Sequence, residues 1–203
     1  MRRELRDRRQ HQFAPASAPT GQLHVYTDGS AKVKRGVWKA GCGVWFGEKS
    51  PHNISTCPCG KQTVSRAELS AIIYAMRKAL NWHEPFERLV IFSDSELCVK
   101  GINTWMKSWK LAGWSRNGKP LKNIDLWKLV DRVMGVIRNT DLDVVIKHVP
   151  AHVGIYGNEK ADRLAKAAVA RAHAVVARSA EEQAELDLEA MADEIVAGLL
   201  ANL

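Results

Sequence analysis

Short apolar runs bounded by polar and turn residues predict five strands along the middle of the chain. The first three runs, at 23–27, 41–46 and 52–56, follow one another closely, which is typical of hairpin-linked strands. The run at 89–92 is apolar at every position, as in a strand that helices cover on both faces. A last run at 142–149 completes the set.

Helical periodicity fills the intervals between these strands. It predicts four helices, over 64–82, about 95–111, 126–137 and 158–172. A glycine-bearing loop is expected at 112–120. The order βββαβααβα then predicts an α/β fold with a five-stranded mixed sheet flanked by helices.

The net charge of +8 is distributed unevenly along the chain. Residues 1–22 carry +3, residues 23–172 carry +11 and residues 173–203 carry −6. The first segment is basic and then rich in Ala, Pro and Ser, so we expect a disordered leader there. The strongly basic middle favours a polyanionic partner, nucleic acid in the first instance.

The acidic C-terminal segment predicts an amphipathic helix, because its apolar positions repeat with helical spacing. These positions are Leu188, Met191, Ala192, Ile195 and Leu199. We expect this tail helix to pack on its own domain or to mediate dimerisation. A third alternative is that it covers basic surface and competes with nucleic acid. No obligate protein partner is evident.

Composition narrows the class of protein further. With 46% apolar and 26% charged residues, the chain is not wholly disordered or of low complexity. It has no apolar run long enough for a membrane span and no secretory signal, so we expect an intracellular protein without a membrane partner. The spacing of Cys42, Cys57, Cys59 and Cys98 is not that of a zinc site, which favours free thiols in a reducing compartment.

Four acidic residues fall where α/β folds place their active sites, at strand ends and helix starts. Asp28 is expected to close the first strand and Asp94 the strand 89–92, while Glu68 and Asp162 lie early in helices. Each alone suits a turn, a cap or a helix dipole. Together, four clustered carboxylates repel one another and are best explained by bound hard cations such as Mg²⁺. Two such ions can promote phosphodiester hydrolysis.

Four motifs occur in the order in which type 1 ribonucleases H have them. They are Thr-Asp-Gly-Ser at 27–30, Arg-Ala-Glu-Leu at 66–69, Ser-Asp-Ser at 93–95 and, within 148–165, His-Val-Pro-Ala-His-Val-Gly followed by Gly-Asn-Glu-x-Ala-Asp-x-Leu-Ala. The last of these is highly specific. Residues 23–172 therefore resemble the type 1 ribonuclease H family, in its cellular form with a basic protrusion.

The resemblance implies a ribonuclease H fold and an endonuclease that cuts the RNA strand of RNA–DNA hybrids with little sequence specificity. The ends left would be a 3′-hydroxyl and a 5′-phosphate. Two Mg²⁺ ions are implied as cofactors, with Mn²⁺ as a substitute. The implied catalytic metal ligands are Asp28, Glu68, Asp94 and Asp162. His152 matches the family's mobile histidine, which assists proton transfer or product release.

Two further segments resemble the family's contacts to the hybrid. Lys61, Thr63 and Asn123 look like a pocket for a DNA phosphate. The segment 105–119 resembles the basic protrusion that binds the DNA strand, and its Trp and cationic side chains suit sugars and phosphates. Those side chains are Trp105, Lys107, Trp109, Lys110, Trp114, Arg116 and Lys119. Trp105 and Trp109 resemble DNA-channel aromatics, although their i, i+4 spacing also suits core anchors.

One position departs from the family pattern. Val64 stands where Asn is usual, and a valine lacks the amide that touches the substrate. Main-chain groups can still read the RNA 2′-hydroxyls. We therefore expect retained activity with altered affinity or strand discrimination.

Two rival interpretations share part of the pattern. Transposases, integrases and junction resolvases have this fold and clustered acids, but they are not expected to carry the Trp- and Lys-rich protrusion or the Gly-Asn-Glu-x-Ala-Asp sequence. A hybrid-binding module without activity would keep the basic surface. The presence of all four acids argues against that module.

Overall fold

The computed structural model describes residues 21–34, 36–174, 187–191 and 193. Its strands are β1 (Gln22–Lys34), β2 (Val37–Trp45), β3 (Ile54–Thr56), β4 (Arg88–Ser93), β5 (Ser115–Arg116), β6 (Lys119–Pro120) and β7 (Asp143–His148). Five of these strands form a central mixed sheet, as the sequence predicts, in the order β3-β2-β1-β4-β7, and β5 and β6 form a separate hairpin. The three strands β1, β4 and β7 are parallel, whereas β2 and β3 are antiparallel to their neighbours.

Within the described ranges 21–34 and 36–174, five α-helices accompany the sheet. They are α1 (Val64–Leu80), α2 (Glu96–Lys100), α3 (Met106–Leu111), α4 (Ile124–Ile137) and α5 (Tyr156–Ala174). The helical stretch predicted over about 95–111 is confirmed, and a π-helical turn, Gly101–Trp105, joins α2 to α3 within it. A Cβ on Gly101 would lie 2.4 Å from the Trp127 ring, so the turn brings the backbone closer to α4 than a side chain allows.

Strand β1 has two different parts. From Gln22 to Thr27 it pairs with β4 in parallel on one side and, at its end, with β2 on the other. Beyond Thr27 it continues to Lys34 as a hairpin with β2 alone. The expectation that Asp28 closes the first strand is therefore wrong, because pairing with β2 carries the strand past the end of β4.

Helices α1 and α5 cover opposite faces of β1 and β2. Gly41 and Gly43 lie against α5, where an added Cβ would come within 2.2 and 2.0 Å of the carbonyl oxygens of Ala165 and Ala161. Cys42, between them, points to the other face and is fully buried there. Helix α5 can therefore lie unusually close to the sheet, which brings its first residues to the strand ends.

The segment predicted as a glycine-bearing loop at 112–120 contains the β5–β6 hairpin. Its turn is Asn117-Gly118, and both residues have positive φ, 52° and 72°. Asn-Gly is the preferred pair for a two-residue turn of this kind, because both positions require the left-handed region. The hairpin is a separate two-stranded sheet, and residues 116–120 in it are exposed.

The two ends of the chain are described in part. The expected disordered leader lies outside the described residues up to position 20, and Gln22 already belongs to β1. In the tail, residues 187–191 are helical, Met191 is only 5% exposed in the main core and Leu188 packs against that core. This supports packing of the tail on its own domain. Ala192, Ile195 and Leu199 lie outside the described residues.

Within the described part of the chain, no helix is both long and apolar enough to cross a membrane.

The close packing of α5 on β2 makes Gly43 a strong test of the fold. Gly43→Ala places a methyl group against the Ala161 carbonyl, so we expect it to lower the free energy of unfolding by about 3 kcal/mol. Gly135→Ala is the matched control: its nearest neighbour would be 3.7 Å away, and helix propensity predicts a gain of roughly 0.5–1 kcal/mol. Urea denaturation measures both, and equal stabilities would contradict the packing described.

Candidate active site

Three carboxylates meet where β1 leaves β4. One oxygen each from Asp28, Glu68 and Asp94 lies within 4.8 Å of the other two. Thr27 and Ser93 are the last partners of the parallel pair, so Asp28 and Asp94 are the residues that follow on adjacent strands. The prediction that these strands are parallel neighbours is confirmed, and this register places the two side chains together.

Glu68 reaches the cluster because Gly29 has no side chain. Asp28 is the register partner of Gly43 and shares its α5 face, whereas Glu68 belongs to α1 on the opposite face. A Cβ on Gly29 would lie 2.3 Å from the backbone nitrogen of Glu68. The helix therefore touches the strand itself, just beyond the end of β4, where the Glu68 side chain can pass to Asp28.

Burial and repulsion between neighbouring carboxylates raise the pKa of both Asp28 and Glu68. Asp28 is only 7% exposed, and burial, followed by the Asp94 and Asp162 charges, raises its pKa to about 7. Burial, followed by Asp28 and Asp94, raises the pKa of Glu68 well above its usual value. The Gly29 N–H donates to Asp28 Oδ1 over 2.8 Å and partly offsets the effect on Asp28. Such a cluster is unfavourable for the fold at neutral pH unless positive charge compensates it.

Asp162 lies at the border of the cluster. It stands in the second turn of α5 and is close enough to Asp28 to raise the pKa of that residue. Its Oδ2 accepts a hydrogen bond from Lys166 Nζ, one turn further along the helix, over 2.7 Å. The structure therefore brings three of the four expected ligands together and places the fourth beside Asp28, paired with a lysine.

The donor set fits a hard divalent cation. Glu68 Oε2 is buried and has no hydrogen-bond partner among the described residues, which is costly for a carboxylate oxygen. All three clustered side chains offer carboxylate oxygens, the ligand type that Mg²⁺ and Mn²⁺ accept. A cation at the cluster would supply the missing partner and offset the repulsion between the acids.

Asn158 is a site residue to which the sequence analysis assigns no role. It is 3% exposed at the start of α5, and its Nδ2 donates to Asp94 Oδ2 over 2.9 Å. Its own Oδ1 is buried without a partner in the described part of the chain. The motif Gly-Asn-Glu-x-Ala-Asp offered the signal, because it places Asn158 one helical turn before Asp162, an expected metal ligand. A buried amide in such a place suits a residue that orients a neighbouring ligand.

The expected phosphate pocket is organised by Arg66, which is 6% exposed. Its guanidinium forms a bidentate pair with Asp125, with one arm at 2.9 Å, and also contacts Asn123 Oδ1 at 3.5 Å. Its backbone N–H donates to Thr63 Oγ1, the cap of α1. Arg66 thus ties Thr63 and Asn123 into one surface, with the exposed Lys61 two residues before the cap.

The two tryptophans of the protrusion have different environments. Trp109 is 6% exposed, and its ring lies 5.0 Å from that of Trp127 and 5.7 Å from that of Trp105. The expectation that Trp109 contacts nucleic acid through its ring is therefore revised: it is a core anchor that supports Trp105. Trp105 is partly exposed, and the Arg116 guanidinium lies 5.6 Å from its ring centre.

The remaining expected contact residues differ in exposure. Lys107, Lys110 and Lys119 are exposed, and Lys110 pairs with Asp131 at 2.6 Å. Trp114 is half-buried, with φ of 62° at the start of the β5–β6 hairpin. All these side chains belong to the protrusion, a segment of the sequence that contains none of the clustered acids.

His152 lies in the exposed loop between β7 and α5. Its φ is 54°, a left-handed conformation that is uncommon outside glycine. Val153 beside it is 55% exposed. The loop leads directly into the helix that carries Asn158 and Asp162, so it borders the site without burying the imidazole.

Comparison with known proteins identifies relatives over the same part of the chain. A family model described as RNase H matches residues 20–170. Ribonuclease H of Schizosaccharomyces pombe is 39% identical over 146 residues, which cover 70% of this chain and 51% of that protein. Ribonuclease H of Chromobacterium violaceum is 36% identical over 149 residues, which cover 73% of this chain and 95% of that protein.

A solved structure has the same fold. The solution structure of the PFV RNase H domain aligns with a TM-score of 0.57 and 27% identity, covering 73% of this chain and 94% of that one. The first curated relatives are longer proteins, and the chain spans about half their length.

The charge cluster predicts how stability depends on pH without metal. Since the folded-state pKa of Asp28 is about 7 and that of an unfolded Asp is about 4, this group destabilises the fold increasingly as pH rises between these values. In EDTA we expect Asp28→Asn to stabilise the protein at pH 8, on the order of 3 kcal/mol, and less at pH 5.

Thermal denaturation with and without Mg²⁺ checks this, and the exposed Asp141 provides the control Asp141→Asn. Mg²⁺ should reduce the difference in melting temperature between Asp28→Asn and the unmodified protein, because the cation stabilises only the protein that has all its metal ligands. A melting temperature of Asp28→Asn at or below the unmodified value at pH 8 in EDTA would contradict the electrostatic account.

Proposed function

This chain belongs to the ribonuclease H family, and on that premise we propose that residues 23–172 hydrolyse the RNA strand of RNA–DNA hybrids. The observation that carries the proposal is the buried cluster of Asp28, Glu68 and Asp94, with an unpartnered oxygen on Glu68. A buried cluster of this kind is costly for the fold and is explained by a catalytic metal centre. Cleavage would leave 3′-hydroxyl and 5′-phosphate ends.

The proposed cofactor is Mg²⁺, two ions per site, with Mn²⁺ as a substitute. Asp28, Glu68, Asp94 and Asp162 would hold the ions, and Asp162 would exchange its bond to Lys166 for the metal. When bound, such ions activate water and stabilise the leaving oxygen of a phosphodiester. The chain's own contribution is to hold the carboxylates in place before substrate arrives, Asp94 through Asn158 and Glu68 through the contact of α1 with Gly29.

The rest of the surface would hold and orient the hybrid. Lys61, Thr63 and Asn123 are proposed to bind a phosphate of the DNA strand. Arg66 would hold Thr63 and Asn123 in position for this contact. The protrusion, with Trp105 at its root, is proposed to bind the same strand further along. Contacts of this kind address phosphates and sugars, so sequence preference would be slight. His152, in its exposed loop, is proposed to assist proton transfer or product release.

Cleavage of a matched hybrid, double-stranded RNA and double-stranded DNA, each with Mg²⁺ or EDTA, tests the proposal. We expect cleavage of the RNA strand of the hybrid with Mg²⁺ alone. Asp28→Asn and Asp94→Asn should each lower kcat/KM about 10³-fold or more, because each removes a metal ligand. Asp141→Asn, a surface acid, should leave the rate unchanged.

Each rival interpretation has its own outcome in that experiment. Tight binding of the hybrid without cleavage would indicate a binding module. Cutting or joining of double-stranded DNA would indicate a transposase, integrase or resolvase. Full activity of Asp94→Asn with Mg²⁺ would refute the assignment of the metal ligands.

Asn158 is proposed as a positioning residue, since it touches Asp94 rather than substrate. Asn158→Ala should lower kcat roughly 10- to 100-fold and raise the Mg²⁺ concentration that gives half-maximal rate, because Asp94 loses the bond that orients it. The exposed Asn139 provides the control Asn139→Ala, with no change in either quantity. A reduced rate at an unchanged Mg²⁺ requirement would show that Asn158 acts in some other way.

A further inference from the structure

The β1–β2 hairpin extends beyond the acid cluster and exposes apolar side chains. Strand β1 continues six residues past Asp28, to Lys34, and β2 starts at Val37. At about 3.3 Å per residue the end of the hairpin lies roughly 20 Å from Asp28. Trp38 is 56% exposed and its partner Val33 is 45% exposed. Exposed apolar patches of this kind call for a ligand or a partner.

Trp38 lies on the α1 face of the hairpin. Nearer the acid cluster, helix α1 covers this same face. Ala40 and Cys42, which share its face by alternation, are fully buried. The opposite face carries Gly41, which packs on α5. The Trp38 side chain therefore lies on the α1 face, two residues before the buried Ala40 on β2. Val37 is 52% exposed but belongs to the α5 face.

This face adjoins the proposed phosphate pocket. The backbone N–H of Ala40 donates to Gln62 Oε1 over 2.9 Å. Gln62 stands between Lys61 and Thr63, so one hydrogen bond joins the strand of Trp38 to the pocket loop. Val64, the first residue of α1, is 45% exposed beside that loop. The apolar surface of the hairpin thus continues the surface on which a nucleic acid strand is proposed to lie.

The charge of the hairpin favours nucleic acid as the occupant. From Gly29 to Gly47 the sequence has four basic residues and no acid, namely Lys32, Lys34, Arg35 and Lys39. The structure describes Lys32, Lys34 and Lys39, and none of these three forms an ion pair with a described residue. By strand alternation these lysines lie on the α5 face, opposite Trp38, so they give the hairpin a positive potential that attracts the hybrid but do not border the ring.

We propose that Trp38 is a substrate contact: the hybrid continues past the acid cluster along the α1 face of the hairpin, where Trp38 and Val33 pack against its sugars. This inference rests on the proposed function and adds a binding subsite to it. The contact adds apolar area to a binding surface on which the side chain of Val64 has no amide to offer the substrate. It is independent of base identity, because every nucleotide presents a sugar.

Steady-state kinetics on a hybrid of about 20 base pairs tests the contact. Trp38→Ala should raise KM about tenfold by removing buried apolar area, with kcat within twofold, since the ring is far from the acids. Trp38→Phe should retain most of the affinity. The matched control is Val37→Ala, which removes an equally exposed apolar side chain from the other face and should leave KM unchanged.

Salt dependence separates this contact from an ionic one. With Asp94→Asn introduced to prevent cleavage, the affinity for labelled hybrid is measured by fluorescence anisotropy across a salt series. Trp38→Ala should weaken binding without changing the slope of log affinity against log salt concentration. Lys61→Ala should reduce the magnitude of that slope by about one. An unchanged melting temperature of Trp38→Ala shows that the fold is intact.

The outcomes distinguish this inference from the function on which it rests. If the unmodified protein neither binds nor cleaves the hybrid, the proposed function fails, and the subsite with it. If the protein cleaves the hybrid and Trp38→Ala has KM and affinity within twofold of the unmodified values, the subsite alone is overturned. A shallower salt slope for Trp38→Ala would also overturn it, because an apolar contact releases no counterions.

Discussion

The candidate active site depends on one close approach, that of β1 and α1 at Gly29. A side chain at this position would meet the backbone of Glu68, so only glycine allows helix and strand to touch. The contact lies just where β4 ends and β1 continues with β2 alone, which leaves a gap in the sheet for the Glu68 carboxylate. Acids from the two faces of the sheet, Asp28 and Glu68, can therefore share one site.

This proximity has an electrostatic cost that links fold and function. The pKa of Asp28 rises to about 7 and that of Glu68 rises well above its usual value, because burial and repulsion from the neighbouring acids disfavour the charged forms. The rest of the domain holds them there: α5 packs on the glycines of β2, and Asn158 fixes Asp94. A site that is unfavourable when empty of positive charge is already arranged for a cation, so little reorganisation remains when the metal arrives.

Much of the fold could be predicted from periodicity, and the clustered acids from their places at strand ends and helix starts. What failed depended on contacts distant in sequence. Asp28 does not end its strand, because pairing with β2 continues the strand beyond it. The spacing of Trp109 suits both a surface and a core position, and its contact with the Trp127 ring shows that it belongs to the core. The roles of Arg66 and Asn158 required knowing that Asp125 and Asp94 lie opposite them. A single sequence shows residue types but not these partners.

The central claim is that the acid cluster is a divalent cation site, and metal binding measures it most directly. Titration of the protein with Mn²⁺, followed by electron paramagnetic resonance in the presence of hybrid, should show saturable binding. Glu68→Gln should abolish or strongly weaken it while the protein stays folded, because the amide keeps the shape but lacks the charge. Equal Mn²⁺ binding by the unmodified protein and Glu68→Gln would contradict the account.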